Sequence, residues 1–174
     1  MTDSPPIALY RDLKDRAVFI SGGATGIGRD LVIAFRLQGA HVSFVAINID
    51  AGAALAELTG AAFAPCDVTD PAALKAAMDL SPIDVLVNNA ANDQRLSLAE
   101  TDEAAWEQSV NVNLRHQYIA ARHVAPKMTA AGRGSIINFG SVAPEMMIEN
   151  LSGYSMCKSA SRGLTRALAR ELGG

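Results

Sequence analysis

Ala17-Val-Phe-Ile-Ser-Gly-Gly-Ala-Thr-Gly-Ile-Gly28 decides the fold. The apolar run Ala17–Ile20 reads as a buried strand. Gly22, Gly26 and Gly28 come next in Gly-x3-Gly-x-Gly spacing. Gly26 to Gln38 then carries a helical period, with Ile27, Leu31, Ala34 and Phe35 on one face and Gly39 as its terminator. Glycines permit a tight turn and close approach of the backbone to a pyrophosphate. The helix start adds free N–H groups and a partial positive charge. The turn lacks a Gly-Lys-Ser/Thr, so it is not a nucleoside-triphosphate loop. A tight turn without a ligand is the plain alternative at this stage.

Outward from that unit, short apolar runs alternate with helical periods. Strands are expected at Val42–Ile47, Ala61–Pro65, Ile83–Val87 and Ser135–Phe139. Helices are expected at Ala51–Leu58, from Asp70-Pro71 onward, over about Asp102–Ala131 and over about Gly153–Leu172. Asp70 is a natural N-cap and Pro71 suits the first helical position. Five strands alternating with five helices imply β-α-β units. The expected fold is α/β, a doubly wound parallel sheet covered on both faces. One domain over residues 13–174 is expected, with residues 1–12 as a flexible arm.

Composition narrows the function. The chain has 174 residues, 49% hydrophobic and 19% charged, with net charge −3. No basic stripe offers itself to nucleic acid or to an anionic membrane. No apolar run approaches the ~20 residues of a membrane helix, and no signal peptide is expected ahead of the domain. Cys66 and Cys157 lack metal-ligand spacing. They read as reduced structural thiols of a cytoplasmic protein, a disulfide between them being the alternative. His41, His116 and His123 read as surface or packing residues, and Trp106 as a core anchor.

Late in the chain, Ser141, Tyr154 and Lys158 stand in Ser-x12-Tyr-x3-Lys spacing. Residues i and i+4 share a helix face, so Lys158 stands one turn from Tyr154. A phenol of pKa ~10 is a poor base at neutral pH. A fixed cation nearby favours the phenolate and suits it to proton exchange with an alcohol oxygen. Two strand ends add polar groups. Asp67-Val68 comes after the third strand, where a carboxylate suits an adenine amino group. Asn88-Asn89-Ala90-Ala91 comes after the fourth, where Asn89 suits a brace between strands.

Together these motifs resemble the short-chain dehydrogenase/reductase family from about Leu13 onward. Ser21 stands where that family has Thr, and Ala91 where it has Gly. The resemblance implies a catalytic tetrad of Asn113, Ser141, Tyr154 and Lys158. Tyr154 would be the general acid/base, Lys158 its cation, Ser141 a donor to the reacting oxygen, and Asn113 the holder of a water. It implies cofactor contacts from Gly22, Gly26, Ile27, Gly28, Asp67, Val68, Asn89 and Ala90, with Tyr154 and Lys158. The cofactor expected is NAD, or else NADP. Ala46 stands where an acidic residue would grip the ribose, and no Arg or Lys comes next to grip a 2′-phosphate.

A finer resemblance, in Asn88–Glu100 and Asn111-Val-Asn-Leu-Arg-His-Gln117, is to the sugar (aldose) 1-dehydrogenase branch, which includes D-xylose dehydrogenase. It implies an aldose such as a pentose as substrate. Asn92, Asp93, Glu145, Glu149 and Asn150 are candidate partners for its hydroxyls. A 3-oxoacyl or other ketone reductase, and an inactive fragment that only binds or self-associates, are the other readings. The resemblance also implies a homo-oligomer, dimer or tetramer. Against the family pattern the chain reads as C-terminally truncated, lacking its last two strands and leaving the fifth strand as a sheet edge.

Overall fold

The computed structural model describes residues 8–173. The strands among them are β1 (Ala17–Ser21), β2 (His41–Ala46), β3 (Ala62–Pro65), β4 (Val85–Asn88) and β5 (Ser135–Asn138). They form one sheet in the order β3-β2-β1-β4-β5, and every pairing is parallel. The order reverses at β1, whose Ser21 pairs with Val45 on one side and Asn88 on the other. A crevice therefore opens at the carboxyl ends of β1 and β4, where such sheets place their ligands.

Among the described residues, six α-helices cover the sheet: α1 (Gly26–Leu37), α2 (Ile49–Thr59), α3 (Pro71–Met78), α4 (Glu103–Val110), α5 (His116–Ala130) and α6 (Ser152–Leu172). Strand alternation divides the core in two. Val18, Ile20, Val85 and Val87 face the layer of α1 and α2, packing with Val32, Phe44 and Leu55. Phe19 and Leu86 face the other layer, with Leu74, Met78, Ala120 and Val124 of α3 and α5. Inward-facing residues on both sides explain why these strands read as unbroken apolar runs. Asp70 caps α3, its Oδ1 accepting from Ala72 N at 2.8 Å and Ala73 N at 3.1 Å.

Several elements depart from the sequence reading. The single helix expected from Asp102 to Ala131 is interrupted by a π-helical stretch at Asn111–Arg115. The extra residue per turn rotates the helix downstream of it and brings Asn113 fully inward. Within α1, Ile27 is 64% exposed and Ala34 is exposed, while Gly28 and Val32 form the buried face. Trp106 is 42% exposed, so it is not a core anchor. Residues 1–7 of the expected arm lie outside the described residues. In the remainder, Tyr10 N donates to Gln38 Oε1 at 2.8 Å and Gln38 Nε2 to the Ala8 carbonyl at 3.0 Å. Both cysteines are free and buried.

Candidate active site

The glycine turn has the geometry of an anion cradle. Gly22 and Gly26 have φ of +69° and +54°, a region that favours glycine. A Cβ on Gly28 would lie 2.0 Å from the Gly22 carbonyl oxygen, so only glycine lets α1 start this close to β1. Thr25 makes no side-chain cap, and the first turn of α1 holds no acid. The N–H groups there face the crevice unsatisfied by side chains, as a pyrophosphate requires. Ile27 is exposed beside them.

Asn89 fixes the mouth of the crevice. Its Nδ2 donates to the carbonyls of Ser21 (3.1 Å) and Gly22 (3.0 Å). The Ser21 hydroxyl accepts from the N–H groups of Asn89 and Ala90, both at 3.1 Å. A hydroxyl at the end of β1 thus clamps the end of β4. At the end of β3, Val68 is buried and Asp67 exposed. One Asp67 oxygen accepts from Thr69 N and Oγ1, both at 2.8 Å, which leaves the other free for a ligand. These residues fit a dinucleotide: turn for phosphates, Asp67 and Val68 for an adenine, and strand ends for the rest.

The residues expected to react lie on α6 and after β5. Tyr154 and Lys158 share one face of α6, and the Lys158 ammonium lies 5.6 Å from the centre of the Tyr154 ring. Lys158 is 4% exposed and donates to the Phe139 carbonyl at 2.8 Å. Burial pushes its ammonium below the usual lysine range. Ser141, half-buried, accepts from Ala143 N at 3.1 Å, which fixes its oxygen while leaving the hydroxyl proton free to donate. Asn113 is fully buried and bound on every side. Its Oδ1 accepts from Asn92 N at 2.9 Å, and its Nδ2 donates to the Asn92 carbonyl and Ser109 Oγ. Its own carbonyl accepts from Gln117 Nε2 at 3.1 Å.

The candidate substrate residues divide. Asn92 and Asp93 are exposed on the loop after β4, and Asn92 Oδ1 accepts from Gln94 N. Glu149 and Asn150 are exposed on the loop between β5 and α6. The Asn150 carbonyl accepts from Leu96 N at 2.9 Å and so joins the two loops. Glu145 is taken up by Arg162 of α6, whose hydrogen bond holds its carboxyl below the usual carboxylate range. Motif reading did not single out four buried polar residues, Asn88, His116, Gln117 and Ser161, of which Gln117 and Ser161 are hydrogen-bonded to each other. Their one sequence signal is that strand and helix periodicity turn their positions inward.

Known proteins resemble this chain in sequence and in fold. A family model described as short chain dehydrogenase matches residues 16–174. D-xylose 1-dehydrogenase of Caulobacter vibrioides is 44% identical over 172 residues, covering 95% of this chain and 69% of that protein. A Rhizobium meliloti protein named "Probable galactose dehydrogenase GalD" is 42% identical, covering 97% of this chain and 70% of that one. Among solved structures, a 3-oxoacyl-(acyl-carrier protein) reductase from Brucella melitensis superimposes with a TM-score of 0.89 at 33% identity. That match covers 99% of this chain and 70% of that one.

Proposed function

The chain belongs to the short-chain dehydrogenase family, and from that premise we propose that it transfers a hydride between the anomeric alcohol of an aldose, such as a pentose, and a nicotinamide dinucleotide. The observation that carries this reading is the buried Lys158 ammonium on the same face of α6 as Tyr154. A cation that cannot leave its place stands one turn from the phenol that would exchange the proton. Tyr154 takes the proton from the alcohol oxygen as the C–H bond breaks. Ser141 donates to that oxygen and holds it in line. The nicotinamide, when bound, accepts the hydride. Gly22, Gly26, Ile27, Gly28, Asn89 and Ala90 hold the dinucleotide in the crevice, with Asp67 and Val68 at its adenine.

The sugar reading is supported by the xylose and galactose dehydrogenase relatives and by the polar mouth of Asn92, Asp93, Glu149 and Asn150. One observation favours a second reading, reduction of a ketone on an apolar carrier. Val142, Met146 and Met147 are 67%, 64% and 84% exposed on the loop after Ser141. We propose NAD as the preferred cofactor. Ala46 is buried at the end of β2, and Asn48 is occupied in capping α2, its Oδ1 accepting from Ala51 N at 3.0 Å. Neither residue offers a cation to a 2′-phosphate. We place the enzyme in the cytoplasm, consistent with two free buried thiols, and expect it to act as a homo-oligomer.

The test is a substrate panel. D-xylose, L-arabinose and D-galactose are offered with NAD, and 3-oxoacyl thioesters with NADPH. Sugar-dependent NADH formation is the expected result. Turnover confined to the thioesters would replace the first reading with the second.

A further inference from the structure

Ser141 and α6, which carries Tyr154, are joined by residues 142–151, a segment without helix or strand. Such a segment keeps its ends in place only where it is tied. Ala143 N donates to Ser141 Oγ at 3.1 Å, and Met146 N to the Val142 carbonyl at 3.0 Å. Arg162 of α6 holds Glu145. Leu151 is 4% exposed, and its carbonyl accepts from Ser155 N at 2.8 Å in the first turn of α6.

Asn150 comes next to that buried leucine, four positions before Tyr154. Its φ is +60°, in the left-handed region. Asn enters that region more readily than most residues with a Cβ, and a β-branched residue scarcely enters it. The Asn150 carbonyl accepts from Leu96 N at 2.9 Å. Leu96 ends the span 92–96 on the loop after β4. The other end of that span is held too. Asn92 N donates to Asn113 Oδ1 at 2.9 Å, and the Asn92 carbonyl accepts from Asn113 Nδ2 at 3.0 Å. Inside it, Gln94 N donates to Asn92 Oδ1 at 3.0 Å. Asp93 lies exposed between the two pins.

We propose that Asn150 is a positioning residue for the sugar: its left-handed backbone, not its amide, latches the segment before Tyr154 to the loop that carries Asp93. The left-handed turn lets the Asn150 carbonyl meet Leu96 while Leu151 packs inward. With both ends of the span pinned, Asp93 is presented to a sugar hydroxyl from a fixed backbone. A partner ordered in advance binds without the entropy cost of settling a loose loop. Were residue 150 to leave the left-handed region, Leu96 N would lose its acceptor, and the span would keep only the pin at Asn113. The latch thus names how one loop of the mouth discriminates a polyhydroxylated substrate, and it rests on the sugar reading proposed above.

Substitutions at Asn150 separate backbone from side chain. Asn150→Gly removes the amide and keeps the left-handed turn. Asn150→Val removes the amide and opposes the turn, which disfavours the latched form about tenfold. Hydrogen exchange of the Leu96 amide, read by NMR in the cofactor-free protein, reports the latch directly. It should quicken about tenfold in Asn150→Val and stay within about twofold of wild type in Asn150→Gly, with the Asn92 amide unchanged in both. With D-xylose and NAD, Asn150→Val should raise KM about tenfold with kcat and NAD affinity nearly unchanged, and Asn150→Gly should restore KM. Equally raised KM in Gly and Val variants would make the amide a sugar ligand and overturn the proposal. So would wild-type exchange of Leu96, or a wild-type KM, in Asn150→Val. If Asn150→Val does not fold, Asn150→Ala replaces it, with about a threefold change expected in both readouts and wild-type values overturning the proposal. Absence of sugar turnover by wild type would count against the sugar reading alone, and Leu96 exchange would still decide the latch.

Discussion

His116 makes a measurable claim about stability. Its native pKa is about 4 against an ordinary value of 6.5, mainly through burial and then through Lys158. The unfolded chain therefore takes up a proton near 6.5 that the native chain refuses until about 4. Stability is full above that window and falls as pH drops through it, by about 3 kcal/mol. Denaturant unfolding at pH 7 and pH 4.5 should show this loss in wild type and a smaller loss in His116→Gln. At this scale the sequence was informative where chemistry is carried by rare spacing. Tyr154 and Lys158 stood out because one helical turn separates them. His116 did not, because a lone histidine carries no signal of what faces it. The ion pair of Glu145, a candidate sugar partner, was unreadable for a similar reason: its Arg162 partner lies 17 positions away, on α6.

Among the elements, the strand–turn–helix at Ala17–Leu37 was legible in its bounds, because glycine, the apolar run and helical period each have a separate cause, though Ile27 and Ala34 were assigned to a face that the structure exposes. The π-helical stretch at Asn111–Arg115 was not, since an inserted residue leaves the apolar pattern of the flanking helices almost intact. Glycine substitutions test the turn. Gly28→Ala places a Cβ against the Gly22 carbonyl and the Asn89 amide, so it should cost about 1–3 kcal/mol and weaken dinucleotide binding at least tenfold. Gly26→Ala meets open space, and only its positive φ opposes it. It should cost about 1 kcal/mol. Thermal unfolding and fluorescence titration of cofactor check both.

For the whole molecule, alternating strands and helices implied a doubly wound parallel sheet with ligands at its strand ends, while the order that opens the crevice at β1 and β4 comes from the structure. The exposure of β5 is the main consequence for handling. It pairs only with β4 among the described residues, and Ile137 is 40% exposed there. An open apolar edge invites pairing between chains. Ile137→Lys should lower light scattering on storage while leaving the unfolding free energy within about 0.5 kcal/mol of wild type. Sedimentation should separate this edge effect from the homo-oligomer proposed above, which should persist in the variant.

The central claim is that Tyr154 exchanges the proton of a bound sugar beside a nicotinamide. The most direct measurement is steady-state NADH formation from D-xylose by wild type and Tyr154→Phe, with NAD affinity read in parallel. The account predicts a loss of about a hundredfold or more in kcat with affinity nearly unchanged. A Tyr154→Phe enzyme turning over at the wild-type rate would contradict it.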